Sequence, residues 1–448
     1  MKAFIKATAL ACVIIAYNNF YMAFRLDTNS NEAAESIIIE LEKEETNSVE
    51  SYDAVLYERQ LHEALTPLPE SQSKTGFYTK QFMAGLCNQY GRFVGTILLA
   101  RTTNGFDQII NESINWKDTY GTDTTIHTSK LWDLVHWNSF YPMLPRFVRY
   151  EKETHKDLIS APSSFKIDGK NYTHPTVKYN VSEGHNIWNS SLSISPPPFG
   201  QFPNQGENQY RQLTTSINNV RAKYDLKLSL KMYETILKGA LRPHPFLQAI
   251  VDQTASKFGG LNDEGYMVIH MRVEPDMNKQ RNCGDKKVWY VDNITDMVYK
   301  QYPKPPVQTV LLVFARALIE AMEIDAKKSE RGLSHHQKVN RHNLNEINDL
   351  LDNGMWGGKV KVVEAGSAIV EEAGNPFYKY YSNIAGGIVN FFLAIQSKIL
   401  VGTEVSTWST LSINTRFYRG IKENYFYRPE GLHWVTPPNV TKPHKFVC

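Results

Sequence analysis

The chain has 448 residues, 42% of them hydrophobic and 21% charged, which is enough to bury a sizeable core and argues against a disordered protein. This length predicts two or three domains. The formal net charge is only +3, with no basic tail or zinc-finger spacing, so nothing in the composition favours a nucleic-acid partner. The four cysteines include no C-x-x-C pair, which speaks against a zinc ribbon or a thioredoxin-type site.

The N-terminal segment predicts an uncleaved signal anchor. Lys2 and Lys6 precede an apolar run, residues 7–24, which approaches the roughly 20 residues of a spanning helix if Asn18 and Asn19 are tolerated. No A-x-A-like cleavage site follows, so an anchor is favoured over a cleaved signal peptide or a buried soluble helix. The charges before the run predict a cytoplasmic N-terminus. We therefore expect a single-pass type II membrane protein of the secretory pathway, in the Golgi or the endoplasmic reticulum membrane, with a luminal body.

Sequons and cysteines agree with a luminal body without establishing it. In the lumen one pair of Cys87, Cys283 and Cys448 could form a disulfide, and their spacing does not say which pair. Sequons are glycan acceptors in that compartment, although they also arise by chance. The six N-x-S/T sequons begin at Asn111, Asn171, Asn180, Asn189, Asn293 and Asn439.

The sequence divides into an anchor, an acidic stem and a two-part body. Residues 27–63 are strongly acidic and predict a partly helical, solvated stem. The body begins with a predicted strand at Gly76–Phe82 and a helix at Gln89–Arg101, whose apolar residues recur at helical spacing. Residues 160–210 are rich in Pro, Asn, Ser and Gly and predict long loops. The predicted division is 1–25 for the cytoplasmic tip and anchor, 26–75 for the stem, 76–250 for an N-terminal domain with loop insertions, and 251–448 for a C-terminal domain.

The second half of the body alternates short apolar strands with helical stretches. This pattern is typical of a parallel sheet and predicts an α/β fold. The predicted strands are Gly265–Met271, Thr309–Ala315, Lys359–Glu364 and Lys398–Gly402, and the predicted helices are Leu344–Leu351, Asn383–Ser397 and Ser409–Tyr418.

A glycine turn at the start of the body precedes a predicted helix and contains Gly85, Asn88, Gln89 and Arg92. Backbone N–H groups at a helix start point outward, and the helix dipole favours an anion there. The glycine turn therefore suits a phosphate or a sugar, although an ordinary helix cap would explain the same residues.

A His-Arg-Glu segment, with His270, Arg272 and Glu274, comes at the carboxyl end of the first strand of the second half. In open α/β sheets that edge is where ligands bind. Strand alternation predicts that the three side chains share one side. Arg272 can pair with a diphosphate through two parallel hydrogen bonds, and the alternative is a structural Arg–Glu ion pair.

A hydroxyl-rich turn joins the last predicted strand to a helix and contains Gly402, Ser406, Thr407, Trp408 and Ser409. Hydroxyl groups and helix N–H groups together form a cradle for an anion. The alternative is a plain Ser or Thr N-cap.

In this order, the three segments resemble the GDP-fucose protein O-fucosyltransferase superfamily over roughly residues 76–420. The glycine turn is similar to the first family motif, Gly-Gly-x-x-Asn-x-x-Arg or Gly-Gly-Leu-Asn-Gln-x-Arg, with altered spacing and one glycine fewer. The His-Arg-Glu segment matches the second motif, His-x-Arg-x-Glu. The hydroxyl-rich turn matches the third, a Val-Gly pair followed by a Ser-rich turn.

The resemblance implies a GT-B-like enzyme with two facing Rossmann-like domains and the nucleotide sugar in the cleft. It implies inverting, metal-independent transfer of fucose from GDP-fucose, the donor substrate, to a protein or glycan hydroxyl, without a cofactor. Arg272 would neutralise the leaving GDP, and Glu274 would orient Arg272 or act as the base. The implied donor-binding residues are Gly85, Asn88, Gln89, Arg92, His270, Gly402, Ser406, Thr407, Trp408 and Ser409.

Two other functions stay open from the sequence. Family members often carry acids before the third motif, where this chain has Gln396, Ser397 and Lys398. That departure favours a non-catalytic, membrane-anchored luminal glycoprotein on the same fold. The other alternative is a different type II transferase, either one that uses another nucleotide sugar or a sulfotransferase. Because fold does not fix function, nucleotide selectivity is the property that separates these alternatives.

Overall fold

A computed structural model of the chain describes parts of it between Tyr52 and Thr436. Among the residues it describes, no helix combines the length and the apolar character needed to cross a membrane. The predicted anchor, residues 1–25, lies outside them. The described residues are 52–68, 75–77, 80–82, 86–102, 106–111, 114–117, 125–149, 164–167, 170–173, 178–179, 226–259, 265–273, 290–315, 320, 323–324, 334–364, 366–379 and 381–436.

Strands and helices alternate through the second half of the chain, as the sequence predicts. The strands are β1 (Thr75–Phe77), β2 (Lys80–Phe82), β3 (Gln108–Ile110), β4 (Ile114–Lys117), β5 (Thr125–His127), β6 (Arg146–Val148), β7 (Ser164–Ile167), β8 (Lys170–Thr173), β9 (Lys178–Tyr179), β10 (Tyr266–His270), β11 (Thr309–Val313), β12 (Lys361–Glu364), β13 (Ile399–Gly402), β14 (Asn424–Arg428) and β15 (Gly431–Trp434). The helices are α1 (Ala54–Ala64), α2 (Leu86–Thr102), α3 (Thr128–Leu131), α4 (Leu134–Asn138), α5 (Leu226–Thr235, continued by a π-helical turn, Ile236–Ala240), α6 (Pro245–Lys257), α7 (Val291–Gln301), α8 (His335–Asn353), α9 (Ser367–Glu372), α10 (Pro376–Lys379), α11 (Ser382–Gln396) and α12 (Thr407–Tyr418).

The larger sheet has the strand order β12-β11-β10-β13-β14-β15. Its neighbouring strands are parallel except for β14 and β15, which are antiparallel. The strands β10, β11 and β13 are buried along their whole length, as expected for a parallel sheet covered on both faces. The predicted α/β fold with a parallel sheet is therefore confirmed for this half of the chain.

The strand order of this sheet reverses once. The strands β10, β11 and β12 extend it in one direction, and β13 and β14 extend it in the other. Numbered along the chain, this is the order 3-2-1-4-5 of Rossmann-type sheets. The reversal falls between β10 and β13, and such a switch point opens a ligand crevice at the carboxyl ends of the two strands.

Each face of the larger sheet packs against helices. On one face, Met267 and Ile269 of β10 belong to the same buried cluster as Ile294 of α7 and Ile347 of α8. Alternation turns Tyr266 to the other face, where its hydroxyl donates to the backbone carbonyl of Leu393 in α11 at 2.7 Å. The sheet is thus fixed between two helical layers, which holds the carboxyl ends of its strands in place.

Arg416 of α12 is fully buried and joins several backbone segments beneath this sheet. Its guanidinium donates to Ala394 O at 2.9 Å and Ser397 O at 2.5 Å, at the C-terminus of α11. It also donates to Lys398 O at 3.2 Å and to the side chain of Asn424 in β14. A helix C-terminus carries partial negative charge, so these carbonyls stand in for water around the guanidinium. Burial lowers the pKa of Arg416 to about 9.

In the described part of the first half of the chain there are three smaller sheets, with the orders β6-β3-β1-β9, β2-β4-β5 and β7-β8. The predicted single strand Gly76–Phe82 is wrong, because β1 and β2 belong to different sheets and pair with β3 and β4 respectively. The predicted helix Gln89–Arg101 is confirmed as α2, which begins three residues earlier at Leu86. Its Phe93 packs against Trp116 and Phe147, with ring centroids 5.4 Å and 5.9 Å apart.

Helix α1 lies within the predicted stem but packs on the body. Tyr57, Leu61 and Leu65 are buried, and the Tyr57 hydroxyl donates to Asp133 Oδ1 at 3.3 Å. These apolar residues recur every four positions, so they form one buried face while the acidic residues of α1 stay exposed. The interpretation as a solvated linker is therefore wrong for residues 54–64.

Asn138 fastens the C-terminus of α1 to the body. Its Nδ2 donates to Ala64 O and Phe147 O, and its Oδ1 accepts from the Phe147 N–H, all at 2.8 Å. We expect Asn138→Ala to lower the free energy of unfolding by about 2 kcal/mol, because partly buried backbone groups lose their partners. Denaturant unfolding followed by circular dichroism measures the change. Asn353→Ala, which removes an exposed amide bonded to Asp349, is the control, and an equal loss in both variants would contradict this role.

Two other predictions concern the start of a helix and the boundary between the two domains. The predicted helix Leu344–Leu351 is α8, which begins nine residues earlier because Ser334 and Gln337 form a capping box before His335. The polar residues 335–343 are therefore helical as well. The predicted domain boundary between residues 250 and 251 falls inside α6, and the division into domains stays a prediction.

Two sequons and one cysteine have side chains whose exposure the structure shows. The prediction of Asn111 as a glycan acceptor is wrong, because its side chain is only 4% exposed and its Nδ2 donates to Ser129 Oγ at 3.4 Å. Asn293 is exposed on α7. Cys87 is buried and free, and burial raises the pKa of its thiol. The side chains of Asn171, Asn180, Asn189, Asn439, Cys283 and Cys448 lie outside those that the structure describes.

Candidate functional site

Two of the three predicted segments meet at the switch point of the larger sheet. Ile269 pairs with Val401, so the next residues, His270 and Gly402, end β10 and β13 side by side. The His-Arg-Glu segment and the hydroxyl-rich turn therefore leave adjacent strands at one edge of the sheet. This is the edge at which open α/β sheets bind ligands.

Gly402 is required by the close approach of α12. A Cβ atom at this position would lie 2.5 Å from Ser409 Oγ and 2.8 Å from Ser409 Cβ, and real Cβ atoms do not come that close. The glycine lets Ser409, in the first turn of α12, reach back over the end of β13. There its Oγ accepts a hydrogen bond from the Thr403 N–H at 3.1 Å.

We expect Gly402→Ala to lower the free energy of unfolding by about 1–3 kcal/mol, because the added methyl group displaces Ser409 from the end of β13. Thermal unfolding of the two proteins measures the change. Asn353→Ala, at an exposed position of α8, is the control, and we expect its midpoint to match the parent. A Gly402→Ala protein as stable as the Asn353→Ala protein would contradict the steric argument.

His270 is buried and its ring is held on two sides. Its Nδ1 lies 2.7 Å from Ser409 Oγ, and its ring centroid lies 4.5 Å from that of Trp408. Burial, together with the smaller effect of the positive charge of Arg272, lowers the pKa of His270 to about 3. The imidazole is therefore neutral at physiological pH and serves as a hydrogen-bonding group rather than as a cation.

Arg272 is positioned through its backbone by a tyrosine of a third strand. The strand β10 ends at His270, so strand alternation does not extend to Arg272, and a shared side for the three side chains stays a prediction. Instead, the Tyr427 hydroxyl accepts from the Arg272 N–H at 3.0 Å and donates to His270 O at 3.3 Å. Arg272 is half-buried, and Glu274 lies outside the described residues.

The start of α12 offers the donors that the sequence predicts. Ser406 is the N-cap residue, but its hydroxyl makes no capping hydrogen bond, so a plain Ser N-cap does not explain the residue. The first bond within the helix runs from the Thr410 N–H to Ser406 O at 3.0 Å. The N–H groups of Thr407 and Trp408 precede that bond and belong to the part of a helix that attracts anions. Thr407 and Trp408 are both partly exposed.

The hydroxyl-rich turn also contains one member of an ion pair, Glu404 with Arg428, which the sequence analysis did not identify. Arg428 Nη2 lies 2.6 Å from Glu404 Oε2, and both side chains are about three-quarters buried. Gly402 pairs with Phe426, so Arg428 stands just beyond the same sheet edge. The pair ties the hydroxyl-rich turn to the end of β14. The sequence feature that indicates this strand end is an aromatic run followed by a Pro-Glu-Gly turn, which is typical of a strand that begins a hairpin.

The glycine turn reaches the same region through aromatic contacts. Tyr90 lies in the first turns of α2, and its ring centroid is 5.8 Å from that of Phe391 in α11. Phe391 in turn lies 6.4 Å from Trp408. Gln89 is buried, at 1% exposure. Of the other predicted residues, Gly85 lies outside the described residues, and Asn88 and Arg92 are in α2 but their side chains are not among those described.

The two departures from the family pattern lie at the opposite edge of the sheet. Gln396 Nε2 donates to Asp252 Oδ1 at 3.0 Å, and Lys398 Nζ donates to Pro306 O at 3.2 Å. Lys398 precedes the amino end of β13, about 13 Å from Gly402 at the roughly 3.3 Å rise of a strand residue. Their side chains therefore have structural contacts away from the crevice, and they do not alter its donors.

The fold and the site together define an α/β protein with a Rossmann-type sheet and an anion-suited crevice at its switch point. In the described part of the chain, no group of three His, Cys, Asp or Glu residues could hold a metal ion.

Comparison with known proteins finds no matching family model and no matching curated protein. Similar solved structures include POFUT1 in complex with GDP, with a TM-score of 0.40 and 11% identity over 77% of this chain and 96% of that one. They also include POFUT1 in complex with GDP-fucose, with a TM-score of 0.38 and 12% identity over 77% of this chain and 95% of that one. A mutant of Arabidopsis thaliana FUT1 in complex with GDP matches with a TM-score of 0.35 and 12% identity over 86% of this chain and 81% of that one. At these values the likeness establishes neither a shared family nor a shared activity.

Proposed function

We propose that this chain is a glycosyltransferase that transfers fucose from GDP-fucose to a hydroxyl group of a protein or a glycan. The transfer inverts the anomeric centre and needs neither a metal ion nor a cofactor. The observation that carries the proposal is the meeting of His270, Arg272 and the start of α12 at the switch point of the larger sheet. The identity of the donor rests on the three sequence segments and their order.

The groups at this edge suit a nucleoside diphosphate. The guanidinium of Arg272 can bind two phosphate oxygens in parallel. The Ser406 hydroxyl and the N–H groups of Thr407 and Trp408 add donors and the positive end of a helix dipole. His270, being neutral, adds a hydrogen-bonding group without a charge. The set matches a leaving group that carries several negative charges.

In the proposed reaction, the acceptor oxygen forms a bond to C1 of fucose while the bond from C1 to the diphosphate oxygen breaks. The acceptor proton passes to a base, and Glu274 either supplies that base or orients Arg272. Arg272 and the first turn of α12 neutralise the charge that develops on GDP, which is the main electrostatic contribution to such a step.

The proposal extends to the architecture and the compartment. It includes two facing Rossmann-like domains in a GT-B-like arrangement, with Gly85, Asn88, Gln89 and Arg92 contacting the donor from the N-terminal domain. It also includes a single N-terminal anchor and a luminal body in the Golgi or endoplasmic reticulum membrane. The support is the charged and apolar pattern of the N-terminal segment and the sequons.

Calorimetric titration of the full-length chain in detergent, with EDTA present, tests the donor. We expect GDP and GDP-fucose to bind and UDP-sugars to bind at least about 10-fold more weakly, a difference of about 1.4 kcal/mol. Preference for a UDP-sugar would overturn the donor and favour another transferase. A folded chain that binds no nucleotide would overturn the proposal in favour of the non-catalytic glycoprotein.

A further inference from the structure

Ser409 has no access to a ligand, although the resemblance places it among the donor-binding residues. It is fully buried, and both of its described polar contacts are internal. Its Oγ accepts from the Thr403 N–H at 3.1 Å and lies 2.7 Å from His270 Nδ1. Its hydroxyl therefore acts on the site through His270.

The donor directions of this pair follow from the Thr403 contact. The Thr403 N–H can only donate, so it occupies an acceptor position of Ser409 Oγ and leaves the hydroxyl proton for a second partner. If the Ser409 hydroxyl donates this hydrogen bond to His270, Nδ1 is the acceptor. The neutral imidazole then carries its single N–H proton on Nε2. The reverse arrangement, with Nδ1 as the donor, leaves the buried hydroxyl proton without a partner among the described residues, which is costly.

The surroundings fix the ring in this orientation. The Trp408 ring lies against the imidazole at 4.5 Å, and Tyr427 holds the backbone carbonyl of His270 at 3.3 Å. Gly402 removes the side chain that would otherwise separate Ser409 from the end of β13. In the part of the chain that the structure describes, Nε2 has no hydrogen-bond partner, so it is the ring nitrogen left for a ligand.

We propose that Ser409 is a positioning residue, which holds His270 in the Nε2–H tautomer so that the imidazole presents an N–H donor to the bound nucleotide. The inference deepens the proposed function and rests on it for the identity of the ligand. The tautomer itself does not depend on the ligand, so the two can be tested apart. A fixed tautomer matters because a donor facing an anion binds it, whereas an acceptor facing an anion repels it.

Nitrogen NMR of the imidazole rings tests the tautomer directly. The full-length chain, labelled with ¹⁵N-histidine, is measured at neutral pH in detergent without nucleotide, and the His270 signals are assigned by their loss in His270→Gln. We expect a single Nε2–H tautomer in the parent protein and a mixture in Ser409→Ala. A parent protein in the Nδ1–H tautomer would overturn the inference whether or not the chain binds GDP.

Affinity for GDP then tests the consequence of the tautomer. We expect Ser409→Ala to weaken GDP binding by about 10-fold or more, the loss of about one hydrogen bond to a charged group. Ser412→Ala is the matched control, because Ser412 is an equally buried serine of α12 whose hydroxyl donates to Trp408 O at 2.8 Å. We expect it to keep both the tautomer and the affinity within about 2-fold of the parent.

The remaining outcomes are also decisive. If Ser409→Ala does not fold, Ser409→Cys keeps the volume and a weak donor, and we expect a partial loss of both properties. A Ser409 variant that loses the tautomer but binds GDP as the parent does would overturn the positioning role. If the parent protein shows the Nε2–H tautomer but binds no GDP, the tautomer stands and the proposed function fails.

Discussion

We expect Arg272→Ala to slow the release of GDP from GDP-fucose by about 10²–10³-fold, which is the usual cost of removing one donor that stabilises developing charge. The half-buried side chain lies at the edge of the larger sheet rather than in its core, so the variant should fold normally. Its backbone N–H keeps the hydrogen bond to the Tyr427 hydroxyl. Measuring GDP release makes the test independent of the acceptor, since water can replace it.

Two further variants show whether charge or geometry is responsible. Arg272→Lys keeps the charge but not the two-pronged hydrogen bonding, so we expect an intermediate rate. Arg59→Ala removes an exposed arginine on α1 and should match the parent. Near-normal turnover in a folded Arg272→Ala protein would remove Arg272 from the mechanism and, with it, the main electrostatic element of the proposal.

The second large effect concerns stability. We expect Arg416→Met to lower the free energy of unfolding by about 3–5 kcal/mol, because several buried carbonyl groups at the end of α11 lose their donor at once. Methionine roughly fills the volume of the aliphatic stem, so the loss reflects the polar contacts more than a cavity. Chemical unfolding at equilibrium measures it.

Arg419→Met is the control for this prediction. Arg419 lies just after α12, three residues beyond Arg416, and its Nε donates to Leu237 O at 3.3 Å. We expect Arg419→Met to lower the free energy of unfolding far less than Arg416→Met does, since fewer backbone groups are hydrogen-bonded to Arg419. Equal losses in the two variants would show that the carbonyl cluster around Arg416 contributes little.

The larger sheet could be predicted well because its strands are continuous apolar runs buried on both faces. The predicted strands Gly265–Met271 and Lys398–Gly402 match β10 and β13 to within one residue at each end. The smaller sheets could not be predicted in the same way. Their strands are two to four residues long, and the change of sheet between Gly76 and Phe82 depends on partners far along the chain.

The candidate site could be located from the sequence but not built from it. Strand ends and a hydroxyl-rich turn point to His270, Arg272 and Ser406, which the structure places at one edge. The residues that hold them there, Tyr427 and the Glu404–Arg428 pair, are brought together by the pairing of β13 with β14. That pairing is a tertiary contact, and no local pattern reveals it.

The sequence could not show the direction of a side chain either. Ser409 and Ser406 look equivalent in the hydroxyl-rich turn, yet Ser409 is turned inward to His270 and Ser406 is not engaged as a cap. The difference arises because Ser406 is the N-cap residue with an extended backbone, whereas Ser409 lies within the first turn of α12 and faces the end of β13. The two departures, Gln396 and Lys398, likewise have side-chain contacts at the opposite edge of the sheet, which no local pattern reveals.

A crystal structure of the chain with GDP would locate the diphosphate and so test the donor site itself. We expect the diphosphate at the carboxyl ends of β10 and β13, with its oxygens bonded to the Arg272 guanidinium and to the first turn of α12. GDP bound elsewhere on the protein, or a crevice that stays empty at saturating GDP, would contradict the assignment of this edge as the donor site.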